Sequence, residues 1–137
     1  MGAPRILLTG AAGLVGRSML SELRSRGTDC LPTDRTARIS IPELVTGDLG
    51  DKAFLDGLFG AHTFTCIIHL AGMLLTAARQ DPVRATQINI DASIGLIERA
   101  RSAGVERFVF ASSLGVYGGR FGPEPVDERS PAAPEGL

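Results

Sequence analysis

Short apolar runs and helical stripes alternate along this chain. The run "RILLTG" over 5–10 is apolar without alternation and ends in glycine, as a strand buried on both faces does. Over 13–27 the apolar positions Leu14, Val15, Met19, Leu20 and Leu23 recur at helical spacing, and Gly27 stands where a C′ glycine closes a helix. "TDCLPTD" over 28–34 predicts a weaker strand, because Pro32 removes a ladder donor. Residues 35–50 offer a loop and then a short strand near 44–47. "DKAFLDGLFG" places Phe54, Leu55, Leu58 and Phe59 on one face of a short helix. "FTCIIHLAG" over 64–72 is the most apolar strand. A long amphipathic helix over 81–103 follows, with Ala85, Ile88, Ala92, Leu96, Ile97 and Ala100 as its buried stripe and Gly104 as terminator. "RFVFASS" over 107–113 is the fifth strand. From Gly118 onward proline and glycine are dense, which predicts loop.

Strands alternating with helices argue for right-handed βαβ units on a parallel sheet. The expected fold class is α/β: a Rossmann-like, doubly wound parallel sheet of about five strands, where a complete dinucleotide fold has about six or more. The expected organisation is a dinucleotide-binding domain over 1–117 and a Pro/Gly-rich loop over 118–137. Hydrophobic residues make up 44% and charged residues 21%, so the chain is globular rather than disordered. Net charge is −1, with 13 arginines and one lysine scattered among 15 acids. No basic stripe forms, so a nucleic-acid partner is not expected. No apolar run approaches the roughly 20 residues of a membrane span, and no signal-peptide pattern opens the chain. Cys30 and Cys66 form no CxxC and no ligand cluster with His62 or His69. Free thiols in a reducing cytoplasm are therefore preferred to a disulfide, and no metal site is expected.

"TGAAGLVG" sets Gly10, Gly13 and Gly16 between the first strand and the first helix. A pyrophosphate must approach backbone amides closely there, and any Cβ would block it; the helix N-terminus then faces the anion with free N–H groups. The spacing is GxxGxxG rather than GxGxxG, and a turn selected for packing alone is the plainer alternative. Asp34, 18 positions beyond Gly16, can accept hydrogen bonds from the adenosine ribose and would repel a 2′-phosphate. That favours NAD over NADP. Arg35 beside it could pair with a phosphate instead, and Asp34 also reads as a solvated loop acid.

Together, "TGAAGLVG", Asp34, "GDL" at 47–49, "HLAG" at 69–72, Asn89 and "FASSLGVYG" at 110–118 resemble the extended short-chain dehydrogenase/reductases. Within them the likeness is to the NAD-dependent epimerase/dehydratase group acting on nucleotide sugars. It covers the chain from Arg5 to about Pro134. The resemblance implies that Gly10, Gly13 and Gly16, with Leu14 and Val15 between them, hold the pyrophosphate. Asp34, with Arg35 adjacent, would face the ribose, and Asp48 and Leu49 would flank the adenine. Leu70, Ala71 and Gly72 would line the cofactor, Asn89 would support the active site, and Ser112 would lie beside the nicotinamide. Ser113 matches the catalytic serine and would also touch substrate, and Tyr117 would shape the substrate pocket. His69 reads as a packed strand residue. Plainer readings stand beside these: Asp48 as a turn acid, Asn89 as a polar mid-helix residue, the serines as a strand-end cap.

The chemistry implied is hydride transfer, with a tyrosine exchanging a substrate proton, a lysine lowering the tyrosine's pKa, and the serine bonding the reacting oxygen. The family's Tyr-x-x-x-Lys should follow Ser113 by about 25 residues, on one helix face. The only tyrosine here is Tyr117 and the only lysine Lys52, and they cannot form that pair. The expectation is an N-terminal piece of a longer enzyme that binds NAD but is catalytically incomplete, its nucleotide-sugar substrate belonging to the parent enzyme. The alternatives are a stand-alone NAD-binding sensor module and a structural domain without ligand. The glycine turn weighs against the structural domain and the serines against the sensor. The family often dimerises through the long helix and the absent one, which puts a homodimer of this chain in doubt.

Overall fold

The computed structural model describes residues 5–37, 40–118 and 125–135. Among these, five parallel strands form one sheet in the order β3-β2-β1-β4-β5: β1 (Ile6–Thr9), β2 (Cys30–Asp34), β3 (Val45–Thr46), β4 (Cys66–His69) and β5 (Arg107–Phe110). Helix α1 (Leu14–Ser25) follows β1, α2 (Lys52–Ala61) follows β3, and α3 (Leu75–Gln80), α4 (Pro82–Thr86) and α5 (Ala92–Ser102) fill the stretch between β4 and β5. The Rossmann-like parallel sheet expected from the sequence is the one observed.

Neighbouring residues of each central strand serve opposite cores, which explains the unbroken apolar runs. Leu7, Leu31 and Ile67 pack with Leu55 and Leu58 of α2 and Leu96 and Ala100 of α5. Leu8, Cys30 and Ile68 face the other way, onto Ala11 of the turn after β1 and Leu20 of α1. Each such leucine contributes about 2 kcal/mol of burial. Strand order reverses between β1 and β4, and the loops after these two strands meet at that point, where ligands of open α/β sheets bind.

Several expectations need correction. β2 is no marginal strand: it pairs with β1 over four positions and lies inside the sheet. Pro32 is tolerated because β3 is so short that it pairs only with Thr33 and Asp34. In α1 the buried face runs through Gly16 and Leu20, with Met19 and Leu23 beside it, while Leu14 and Val15 are exposed at 77% and 62%. The close seating of Gly16 on the glycine turn sets that face. The long helix is broken in character: α4 and α5 are joined by a π turn over Gln87–Asp91. Ala92, Leu96 and Ala100 are buried at i, i+4, i+8, and Ile97, one position round from that line, is exposed. The strand read over 64–72 pairs only through Cys66–His69, and α3 occupies residues the sequence pattern left unassigned. In the predicted loop over 118–137, positions 119–124 and 136–137 lie outside the described residues, and 125–135 contain no helix or strand. Cys30 and Cys66 are free thiols.

Candidate functional site

The glycine turn is built by close backbone approach. Gly10 has φ +69°, and a Cβ on it would meet the Ala71 amide nitrogen at 2.7 Å. A Cβ on Gly16 would meet the Gly10 carbonyl oxygen at 2.1 Å, and one on Gly13 would meet the same oxygen at 3.2 Å. The first helical bond of α1 runs from Arg17 N–H to the Gly13 carbonyl, 3.0 Å. The amides of Leu14, Val15 and Gly16 therefore have no acceptor within the helix. N-cap Gly13 has no side chain to supply one. Three donors and the positive end of a 12-residue helix make a place for an anion. Asp34, at the end of β2, turns toward this loop: its carboxylate accepts from Ala12 N–H at 2.9 Å and from Thr36 N–H at 3.3 Å.

A cavity of about 550 Å³ opens over the ends of β1, β2 and β4. Of the residues named from the sequence, Gly10, Gly13, Asp34, Arg35, Asp48, Leu49, Leu70, Ala71 and Gly72 line it. Leu14, Val15, Gly16, Asn89, Ser112, Ser113 and Tyr117 are not among its lining residues. Met73, Ala77, Arg84 and Ile88 line it without having been anticipated. The signal for Arg84 was present in "QDPVR": an Asp-Pro start, with Asp81 Oδ1 accepting from Arg84 N–H at 2.9 Å and Pro82 opening α4.

Beneath the cavity runs a buried polar chain. Thr9 Oγ1 accepts from the amides of Leu70 and Ala71, both at 3.2 Å, so its own hydrogen turns to His69 Nδ1, 2.6 Å away. His69 Nε2–H then donates to Ser93 Oγ at 3.0 Å, and Ser93 donates to the Asn89 carbonyl at 2.9 Å. That direction requires a neutral imidazole, and burial pushes the His69 pKa down to about 4. His69 is thus a packed strand residue, 1% exposed, with Phe110 5.5 Å from its ring. The Asn89 side chain accepts from Met73 N–H at 2.7 Å and donates to the Met73 carbonyl at 3.0 Å. It clamps the loop after β4 to the π turn.

The sequence profile described as the NAD dependent epimerase/dehydratase family matches residues 6–136. The chain belongs to that family. This epimerase/dehydratase-family chain is 34% identical to the UDP-glucose 4-epimerase of Erwinia amylovora over 140 residues, 92% of this chain and 41% of that protein. It is 32% identical to the UDP-glucose 4-epimerase of Bos taurus, over 94% of this chain and 42% of that one. Its fold superposes on the Thermus thermophilus UDP-glucose 4-epimerase solved in complex with NAD at a TM-score of 0.86 and 30% identity, covering 95% of this chain and 44% of the other. A short-chain dehydrogenase/reductase superfamily protein from Agrobacterium tumefaciens with bound NAD gives 0.81 and 32%, over 96% and 40%. The chain therefore spans about two fifths of the length of the curated relatives it matches.

In this family member the serines lie beyond β5. Ser112 and Ser113 are exposed, and Ser113 Oγ accepts from Gly115 N–H at 3.1 Å, capping a 3₁₀ turn over Leu114–Tyr117. The Ser113 hydroxyl hydrogen is left to donate elsewhere. Tyr117 ends that turn, half-buried, and the Val116 carbonyl accepts from Ala133 N–H at 2.9 Å, which brings the tail back against it. Among the described residues no group of three or more His, Cys, Asp or Glu is arranged to hold a metal ion, and no helix is long and apolar enough to cross a membrane.

Proposed function

We propose that this chain binds NAD across the ends of β1, β2 and β4, as the dinucleotide-binding part of a nucleotide-sugar epimerase or dehydratase. The observation that carries the reading is the backbone cradle. Gly10 lies against Ala71 and Gly16 against Gly10 so tightly that a methyl group on either would displace backbone, and the amides of Leu14, Val15 and Gly16 are left as donors. Such a cradle suits a pyrophosphate, with Gly13 giving it room. Asp34 takes the adenosine ribose, with Arg35 beside it, and its charge disfavours a 2′-phosphate. Asp48 and Leu49 flank the adenine, and Leu70, Ala71 and Gly72 lie along the dinucleotide. Asn89 holds the Met73 backbone, and through it the shape of that wall. Ser112 lies nearest the nicotinamide end, Ser113 donates to the reacting oxygen of the substrate, and Tyr117 forms part of the sugar pocket. NAD supplies the hydride acceptor and donor.

Substrate proton exchange needs a tyrosine–lysine pair on one helix face, and Tyr117 and Lys52 are on different elements. The 137-residue chain is therefore expected to bind NAD without turning substrate over. The nucleotide-sugar class is supported by the relatives named above as UDP-glucose 4-epimerases. The two free thiols, Cys30 and Cys66, support a reducing compartment such as the cytoplasm. Titration calorimetry tests the reading. NAD should bind with a measurable heat, NADP about tenfold more weakly or worse, and Asp34→Ala should narrow that gap. No heat at millimolar NAD refutes cofactor binding. Epimerase or dehydratase turnover by the purified chain refutes the inactivity.

A further inference from the structure

The turn after β3 carries a carboxylate held from two sides. Asp48 Oδ1 accepts from Gly50 N–H at 2.9 Å, and Oδ2 is paired with the Arg84 guanidinium. Arg84 is itself steadied: its other terminal nitrogen donates to Gln87 Oε1 at 3.3 Å, and its backbone is capped by Asp81. The turn is equally fixed. Gly47 N–H donates to the Asp34 carbonyl at 3.0 Å, and the Phe54 ring fills the space a side chain on Gly47 would need. Both Asp48 and Arg84 reach the wall of the cavity beside Leu49, with about a third of each side chain exposed.

We propose that Arg84 is a positioning residue for purine recognition: it holds Asp48 as a fixed, ionised acceptor that selects a 6-amino over a 6-oxo purine on the bound dinucleotide. This rests on the NAD reading above. The two groups come from different elements, α4 and the turn after β3, so the carboxylate cannot rotate without breaking one bond or the other. Burial pushes its pKa up, but the Gly50 amide and the Arg84 guanidinium outweigh that and hold it below the ordinary carboxylate value. An ionised carboxylate only accepts hydrogen bonds. It gains from an exocyclic amine and is left facing a carbonyl oxygen when the amine is replaced. A site built on a required hydrogen bond discriminates by leaving a polar group unpaired. With Arg84 removed, Oδ2 is free to swing, and the preference should fall even where the pyrophosphate cradle is intact.

The test is calorimetry of the purified chain with NAD and with nicotinamide hypoxanthine dinucleotide, in which a 6-oxo group and an N1–H replace the 6-amine and bare N1 of adenine. The native chain should bind NAD about tenfold more tightly. Arg84→Gln should cut that ratio to about twofold, and Arg84→Lys should restore part of it through its ammonium group, which keeps the charge but not the planar fork. A purely structural role would weaken both ligands in proportion and leave the ratio unchanged. An unchanged ratio in Arg84→Gln, or equal binding of the two ligands by the native chain, overturns the proposal while NAD binding stands. Should Arg84→Gln fail to fold, the same comparison is read from Arg84→Lys, whose ratio must fall between the native value and unity. Failure of both dinucleotides to bind overturns this proposal and the cofactor reading together.

Discussion

Gly16 sits in the first turn of α1 and Gly27 just past its end, and a methyl group would meet opposite surroundings at the two. At Gly16 it would be 2.1 Å from the Gly10 carbonyl oxygen and 2.8 Å from Ala11 Cα, both backbone atoms that cannot swing aside. At Gly27 nothing lies within 4 Å, and only its φ of +65° resists a side chain. Gly16→Ala should therefore lower unfolding free energy by about 2 kcal/mol or more. Gly27→Ala should cost only about 1 kcal/mol, the left-handed backbone penalty. Urea midpoints of the two variants check this, and equal losses would show that the turn can relax. The spacing of Gly10, Gly13 and Gly16 was legible because its cause is local, within seven consecutive residues. The pairing of Arg84 was not, because its partner Asp48 lies 36 positions away and "QDPVR" announces a helix start but no ion pair.

At the scale of elements, His69 joins β4 to β1 through Thr9 and to the helix through Ser93. Its folded-state pKa of about 4 lies below the ordinary 6.5, so between those values the unfolded chain binds the proton and the folded chain does not. Stability contributed by the neutral imidazole is thus complete above pH 6.5 and is lost as pH falls toward 4, about 3 kcal/mol in all. Denaturant unfolding at pH 7 and at pH 4.5 should show that loss, and His69→Phe should flatten the dependence in this window. The ordinary carboxylate range lies at and below its acid end. A native chain equally stable at both pH values would contradict the neutral relay. The helix stripe through Ala85, Ala92, Leu96 and Ala100 was legible from period alone. The π turn between α4 and α5 was not, since it is Asn89 reaching the loop after β4, and Ser93 reaching His69 of β4, that give it a purpose.

For the whole molecule, unbroken apolar runs in β1 and β4 announced a parallel sheet covered on both faces, and helices on both faces bear that out. Periodicity did not announce which helix covers which face, because that depends on crossovers the runs do not encode. The cover is incomplete among the described residues. β5 pairs only with β4, its Val109 and Phe110 are exposed, and Ile90 and Ile94 of the neighbouring helical stretch are more than half exposed. An open strand edge and exposed apolar helix residues each favour association. The purified chain should therefore associate with rising concentration in sedimentation velocity. Ile94→Glu combined with Phe110→Lys should reduce that association with little change in NAD affinity, since neither residue lines the cavity. A chain that sediments as a monomer at every concentration tested would mean that the exposed apolar side chains are too scattered to act as one surface.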